Sequence, residues 1–347
     1  MYHATGCALT PRREAAYARS MSRGSRGRTR SACAVALAVA LAPTAAAADV
    51  NDIVLSRLTH RPDANSFIPQ NADLRALSSQ LGVVLAPHLL TPADTLGFGG
   101  FQLTVDYAAT TIDADASYWR ARAGSPDPVD DPGTDTLGTF GFFFRKGLWL
   151  PVPSFEIGAG AVHLVDSRIW AGQLYAKLAL HEGYAGLPIP SLAVRGGVSR
   201  MMQQRELDLT VASIDVMLSK HVGIGGTWRL DPFAGWNVLV IVPRSEVIDP
   251  TPHIDPLDPM TMADGDRSFV FSDQDNIYRQ RFLFGAKLQY YIFQLTIEAS
   301  FALAGSSLDD RSGTTERCTS GALTTVCDTK DAAAAQRTLS LSAGLDF

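Results

Sequence analysis

Arg337-Thr338-Leu339-Ser340-Leu341-Ser342-Ala343-Gly344-Leu345-Asp346-Phe347 closes the chain. A strand turns successive side chains to opposite faces. Leu339, Leu341, Ala343, Leu345 and Phe347 therefore share one face, and Ser340, Ser342, Gly344 and Asp346 the other. One face is wholly apolar and the other small or polar. A soluble sandwich would turn the apolar face to a core, whereas a strand in a bilayer would turn it to lipid. Ending on a bare aromatic residue suits the second.

With Leu339, Leu341, Leu345 and Phe347 in these positions, the segment resembles the C-terminal strand of Gram-negative outer-membrane β-barrel proteins, a porin-like superfamily with no specific member indicated. The resemblance covers about the last nine residues. It implies that Leu345 and Phe347 form an assembly signal read by the barrel assembly machinery, and that outer-membrane lipids surround the folded chain.

The opposite end is consistent with export. Arg23, Arg26, Arg28 and Arg30 precede the apolar block of residues 31–48, which ends in small residues. A basic stretch, an apolar stretch and an Ala-x-Ala site make a secretory signal peptide over 1–48, cut after Ala48. Met21 would give a leader of ordinary length. The block is short of the roughly 20 apolar residues of a spanning helix. Residues 1–48 hold seven Arg and one Glu, net +6, so the whole-chain −5 less +6 leaves −11 on the remainder. That balance disfavours nucleic-acid binding. Cys7 and Cys33 leave with the leader, and Cys318 with Cys327 can close a short disulfide loop in an oxidising compartment.

No later apolar run is long enough for a membrane helix, so a chain in lipid must form a closed barrel. The segments obey that requirement. Phe101, Leu103, Val105 and Tyr107 alternate with polar neighbours, as do Phe140, Phe142 and Phe144, then Phe155 and Ile157, then Trp170, Leu174 and Leu178. Leu192, Val194 and Val198 continue the pattern. In 206–219 the apolar phase moves from Leu207, Leu209 and Val211 to Ile214, Val216 and Leu218, which predicts a β-bulge near Ala212 or Ser213. Residues 231–243 are apolar on both faces. Tyr278 to Tyr290 and Phe293 to Leu303 alternate again. With the last strand this predicts an all-β, antiparallel up-and-down transmembrane barrel of about ten strands over 96–347.

Short turns at 148–153, 183–188, 220–230 and 290–292 alternate with longer connections at 112–135, 166–169, 202–205, 244–275 and 305–333. Barrels of this type keep short turns in the periplasm and long loops outside. Residues 49–95 fit less simply. Asn71 to Gln80 reads as a short helix, and Leu81 to Pro87 as a strand or inserted segment. The stretch is a periplasmic arm, a lumen plug, or two further strands that would make twelve.

The polar phase of these strands lines the lumen. It carries Asp106, Arg145, Glu156, Lys177, His181, Arg195, Arg279, Arg281, Lys287, Glu298 and Asp346. Mixed charges in a narrow barrel form a paired structural network, or line a path for a small polar solute that the cations would bias towards anions. A hydrophobic-ligand transporter gated by the N-terminal segment is the alternative. An enzyme is not expected: His163 lies on the lipid-facing phase, His181 at a turn, and no nucleophile elbow, His-Glu-x-x-His or phosphate loop is present. Asp113, Asp115, Asp127, Asp130, Asp131 and Asp135 in one loop, and the acids of 244–275, lack metal-loop spacing, so neither metal nor cofactor is expected.

Overall fold

The computed structural model describes residues 49–61, 67–131, 133–149, 154–183, 189–250, 268–309, 316–320, 323–327 and 330–347, with backbone alone in the hairpin 316–327. The leader 1–48 lies outside the described residues. So do the Cys318 and Cys327 side chains, and with them the expected disulfide.

Ten long antiparallel strands close on themselves. They are β1 (Phe101–Thr111), β2 (Thr136–Leu148), β3 (Phe155–Leu164), β4 (Trp170–His181) and β5 (Ser191–Met202). They continue as β6 (Leu207–Ser219), β7 (Trp228–Ser245), β8 (Ile277–Tyr290), β9 (Phe293–Ala302) and β10 (Gln336–Asp346). Each pairs with the next in the chain, and β10 pairs with β1 to seal the seam, Leu345 opposite Leu103 and Leu341 opposite Tyr107. Closure leaves no long open edge in the barrel wall, which is what lets strands cross lipid.

The periodicity of the strands is the periodicity of their burial. Leu103, Val105, Phe140, Phe142, Phe144, Leu174, Leu339 and Leu341 are exposed on the outside, and Gln102, Thr104, Thr139, Arg145, Ser340 and Ser342 are buried inside. Such a belt would be an aggregation surface in water and is the ordinary exterior of a barrel in lipid. Aromatic residues gather where the short turns lie. Phe101 stacks on Phe347 at 4.7 Å, and Trp228 meets Tyr290 at 4.5 Å. The Phe347 and Phe101 backbones exchange hydrogen bonds of 2.8 and 2.9 Å. This is a closed, outer-membrane-type β-barrel, the architecture of the Gram-negative outer membrane.

Two expectations are corrected. The twelve-strand alternative is excluded, because the ten strands close on themselves and none of the described residues of 49–96 joins the barrel sheet. The bulge near Ala212 is also absent. β6 pairs without interruption with both β5 and β7, and its inward residues run Leu207, Leu209, Val211, Ser213, Asp215, Met217, Ser219. Its apolar phase changes because the surroundings change. Near the long loops the lumen itself is apolar, so Leu207, Leu209 and Val211 point inward. Farther along, Ile214, Val216 and Leu218 point to lipid. The double apolarity of 231–243 has the same origin, with Phe233, Leu239 and Ile241 inside and Trp236 outside. The register irregularity falls instead in β4, between Ala179 and His181.

What makes that end apolar is helix α1 (Asn71–Leu85), whose residues from Leu74 to Leu85 are all buried. It is longer than the expected helix, and it absorbs the first part of Leu81 to Pro87, which forms no strand. Leu74, Leu77, Leu81, Val84 and Leu85 join Leu209, Val211, Leu239, Ile241 and Ile277 in one core. Burial of such side chains stabilises by about 1.5–3 kcal/mol each. Gly82 permits the approach: a Cβ there would lie 2.6–2.8 Å from three atoms of Ile241. Gly82→Val should therefore push α1 off β7 and cost about 1–3 kcal/mol, as overpacking does. An unchanged urea midpoint for the folded barrel would show that α1 does not seat there.

Candidate functional site

Before α1, residues 49–61 lie against the long connections. The Asn51 N–H donates to Asp166 O at 2.8 Å, Val54 N–H to Ala121 O at 2.7 Å, and Ala123 N–H to Asp52 O at 2.8 Å. Gln204 Nε2 donates to Ile53 O at 2.5 Å, and Leu55 N–H to Glu206 Oε2 at 2.6 Å. After α1 the chain leaves the helix at Ala86, bends repeatedly with Leu90 at a positive φ of 46°, and runs through the lumen towards the short-turn end, where β1 begins.

This irregular stretch has no strand partner, so its backbone groups must be satisfied by something else. The charged lumen residues do that. Gln173 Nε2 donates to Leu85 O at 3.0 Å and Arg281 Nη2 to Pro87 O at 2.6 Å. Arg195 Nη1 donates to His88 O at 2.8 Å, and Lys177 Nζ to Pro92 O and Asp94 O at 3.2 and 2.9 Å. The acids take the N–H groups: Leu90 N–H to Glu298 at 2.7 Å, Thr95 N–H to Glu182 at 3.0 Å, and Leu96 N–H to Glu156 at 3.1 Å. Ala93 N–H donates to Ser219 Oγ at 3.0 Å. Charge-assisted bonds of this kind are about twice as strong as neutral ones.

Each cation is also matched by an acid or a carbonyl. Arg195 Nε donates to Asp215 at 2.7 Å, with Asn237 on the other Asp215 oxygen. Lys177 lies 3.2 Å from Glu156, which also accepts the Tyr175 hydroxyl at 2.7 Å. Lys287 meets Asp346 at 2.7 Å, and Arg145 donates to Gln102 at 2.5 Å. Arg279 donates to Leu303 O, Ser79 Oγ and Ala334 O at 2.8, 2.7 and 3.0 Å. Asp106 is buried beside Thr104, Ser342 and Arg145. Arg279 and Lys287 engage separate partners, whereas Arg195 and Arg281 lie close together around Asp215, Glu298 and the Pro87–His88 carbonyls.

Some of these partners escaped the sequence reading. Asp215 stands between Ile214 and Val216 on the inward phase and was legible there. Asp231 was hidden in the doubly apolar stretch; it accepts from His221 and Arg229, both at 2.7 Å. His88 lies 4.0 Å from Glu298 on the segment inside the lumen, where no strand alternation marks it. His163 stacks on Trp170 at 4.6 Å on the outer face. Among the described residues, no group of three or more His, Cys, Asp or Glu gathers as a metal site. Asp255, Asp258, Asp264 and Asp266 lie outside the described residues.

No family model matches the chain, and no curated protein matches it. Among solved structures it is similar to Ail, the attachment invasion locus protein of Yersinia pestis solved with the heparin analogue sucrose octasulfate. The identity is 9% and the TM-score 0.24, over 72% of this chain and 99% of that one. The outer membrane protease OmpT of Escherichia coli is similar at 9% identity and a TM-score of 0.25, over 72% of this chain and 96% of that one. Likenesses this distant carry no functional inference, and the barrel class rests on the chain's own register and apolar exterior.

Two outcomes follow from this geometry. Arg195→Met leaves Asp215 buried without its cation and should cost about 3–5 kcal/mol, most of it regained in Arg195→Met with Asp215→Leu. Urea unfolding of both variants checks this, and equal losses would contradict the pairing. At the loop end, burial raises the Glu206 carboxyl above its ordinary range, against the opposing pull of the Leu55 N–H. Its contribution to stability is full below the usual glutamate pKa of about 4.3 and declines as pH rises through the raised folded-state value. Trypsin cleavage after Arg57 should therefore quicken as pH rises through that range, and Glu206→Gln should remove the trend.

Proposed function

We propose that this protein is an exported outer-membrane barrel whose lumen is closed at rest by its own N-terminal segment. Its role is that of a structural or gated barrel rather than an open passive pore. The observation that carries the reading is the clamp on residues 85–96, where Arg195, Arg281 and Lys177 spend donors on backbone carbonyls. The long connections lie outside the cell and the short turns in the periplasm, which places residues 49–61 at the external end. The leader over 1–48, the disulfide between Cys318 and Cys327, recognition of Leu345 and Phe347 by the assembly machinery, and the absence of enzymatic chemistry belong to the same proposal.

A second reading has one observation in its favour. The outer wall of β2 to β6 has an apolar hollow of about 590 Å³ bordered by Phe144, Ile157, Leu174, Gly196 and Val198. Gly196 and Ala176 leave it open to lipid, which suits a hydrophobic-ligand transporter with the segment as gate.

Planar-bilayer recording separates a closed barrel from a passive pore. The native protein should give little steady conductance. Arg195→Ala combined with Arg281→Ala, or removal of residues 49–96 after the leader, should give stepwise channels. Steady native conductance that the substitutions leave unchanged would contradict the closed reading. Conductance that loses anion preference on Arg279→Glu with Arg281→Glu would restore the passive pore.

A further inference from the structure

The chain from Asn71 to Phe101 crosses the lumen once, and two strands record its direction. β4 runs from the long-loop end at Trp170 to the short-turn end at His181. Its polar residues hold the segment in the same order. Gln173 Nε2 donates to Leu85 O at 3.0 Å, and Lys177 Nζ to Pro92 O and Asp94 O at 3.2 and 2.9 Å. Glu182, just past the end of β4, accepts the Thr95 N–H at 3.0 Å. β8 runs the same way, from Ile277 to Tyr290, and repeats the order. Arg279 Nη1 donates to Ser79 Oγ at 2.7 Å and Arg281 Nη2 to Pro87 O at 2.6 Å, while Lys287 borders a small cavity with Pro92, Asp94 and Thr95.

Ahead of α1 the chain stays at the long-loop end. The Gln70 N–H donates to Leu58 O at 2.9 Å, Thr59 pairs with Pro69, and the Ser272 N–H donates to Asn71 Oδ1 at 3.0 Å. Length suffices for one crossing. The fifteen residues of α1 rise about 22 Å, and residues 86–96 reach at most about 36 Å more, against an apolar band of about 25 Å. An even number of strands brings Phe101 and Phe347 to one side of the membrane, where their backbones bond each other. The additional crossing by residues 71–101 then puts Asp49 on the other side.

We propose that the barrel carries its own amino-terminal segment across the outer membrane and holds the mature amino end at the cell surface. The inference rests on the reading that places the long connections outside and the segment in the lumen. The clamp is the anchor. Drawing residues 49–61 back would break the charge-assisted bonds to Pro87, His88, Pro92 and Asp94 and strip Leu77, Leu81 and Val84 from their core. Asp49 and Val50 remain exposed at the outer face, while Asn51, Val54 and Leu55 are tied to the connections around them.

The test labels single thiols with a membrane-impermeant maleimide on intact Gram-negative cells that make the full chain. Cys318→Ser combined with Cys327→Ser is the blank, and Val50→Cys, Val129→Cys and Ile189→Cys are added to it one at a time. All three positions are exposed. Heat-modifiable gel mobility shows that each variant is folded. Val50→Cys should label as strongly as Val129→Cys in the long connection, several-fold above the blank. Ile189→Cys, beside a short turn, should label only after the outer membrane is permeabilised. A Val50→Cys that needs permeabilisation while Val129→Cys does not would overturn the crossing. Reversed labelling, with Ile189→Cys reactive on intact cells and the other two silent, would overturn it through the orientation. A barrel that conducts steadily in bilayers while Val50→Cys labels on intact cells loses the closed reading and keeps the crossing.

Discussion

An irregular backbone enclosed at membrane depth has no strand to pair with, so its carbonyls and N–H groups must find side chains. Residues 85–96 impose this constraint on the barrel interior. Arg195, Arg281, Lys177 and Gln173 supply donors, and Glu298, Glu182, Glu156 and Ser219 supply acceptors. The mixed sign of the lumen charges follows directly, because a peptide backbone needs both. A lumen built to pass one sign of ion would have no need of Glu156 beside Lys177 or Asp215 beside Arg195.

The same segment explains why the barrel is amphipathic in two ways. Around α1 the interior is an ordinary protein core, with Leu207, Leu209, Val211, Leu239 and Ile241 packed on Leu74, Leu81 and Val84. Around 86–96 it is a set of ion pairs and backbone clamps. Strands that pass both zones, β6 and β7, change the chemistry of their inner face midway while their geometry stays regular. The two ends of the barrel sheet meet at the seam, where Phe347 and Phe101 stack outside the barrel and pair their backbones.

Most of the barrel was legible in the alternation of single residues. In β1, β9 and β10 the outward residues are mostly apolar and the inward ones mostly polar, and β2 and β8 keep the apolar outer face while adding Leu137, Phe143, Ile277 and Leu283 to the inner one. Lipid and lumen chemistry then write the face directly into the sequence. The reading failed where the inner face was itself apolar. Leu207, Leu209 and Val211 looked lipid-facing, so the change to Ile214 implied a bulge that β6 does not contain. Residues 231–243 offered no phase at all. The lumen position of Arg195, Lys177 and Glu298 was readable from alternation, but their partners were not. Those partners are main-chain atoms of residues 85–96, and a backbone carbonyl leaves no trace in composition. Gly82 gives no hint of the packing it permits until the helix is placed beside Ile241.

The clamp on residues 85–96 is tested most directly by amide hydrogen exchange on the folded barrel. The N–H groups of Leu90, Ala93, Thr95 and Leu96 should exchange as slowly as those of the neighbouring strands, because each donates to a side chain inside the lumen. Exchange of these four amides at the rate of an open chain, with the strands still protected, would contradict the account.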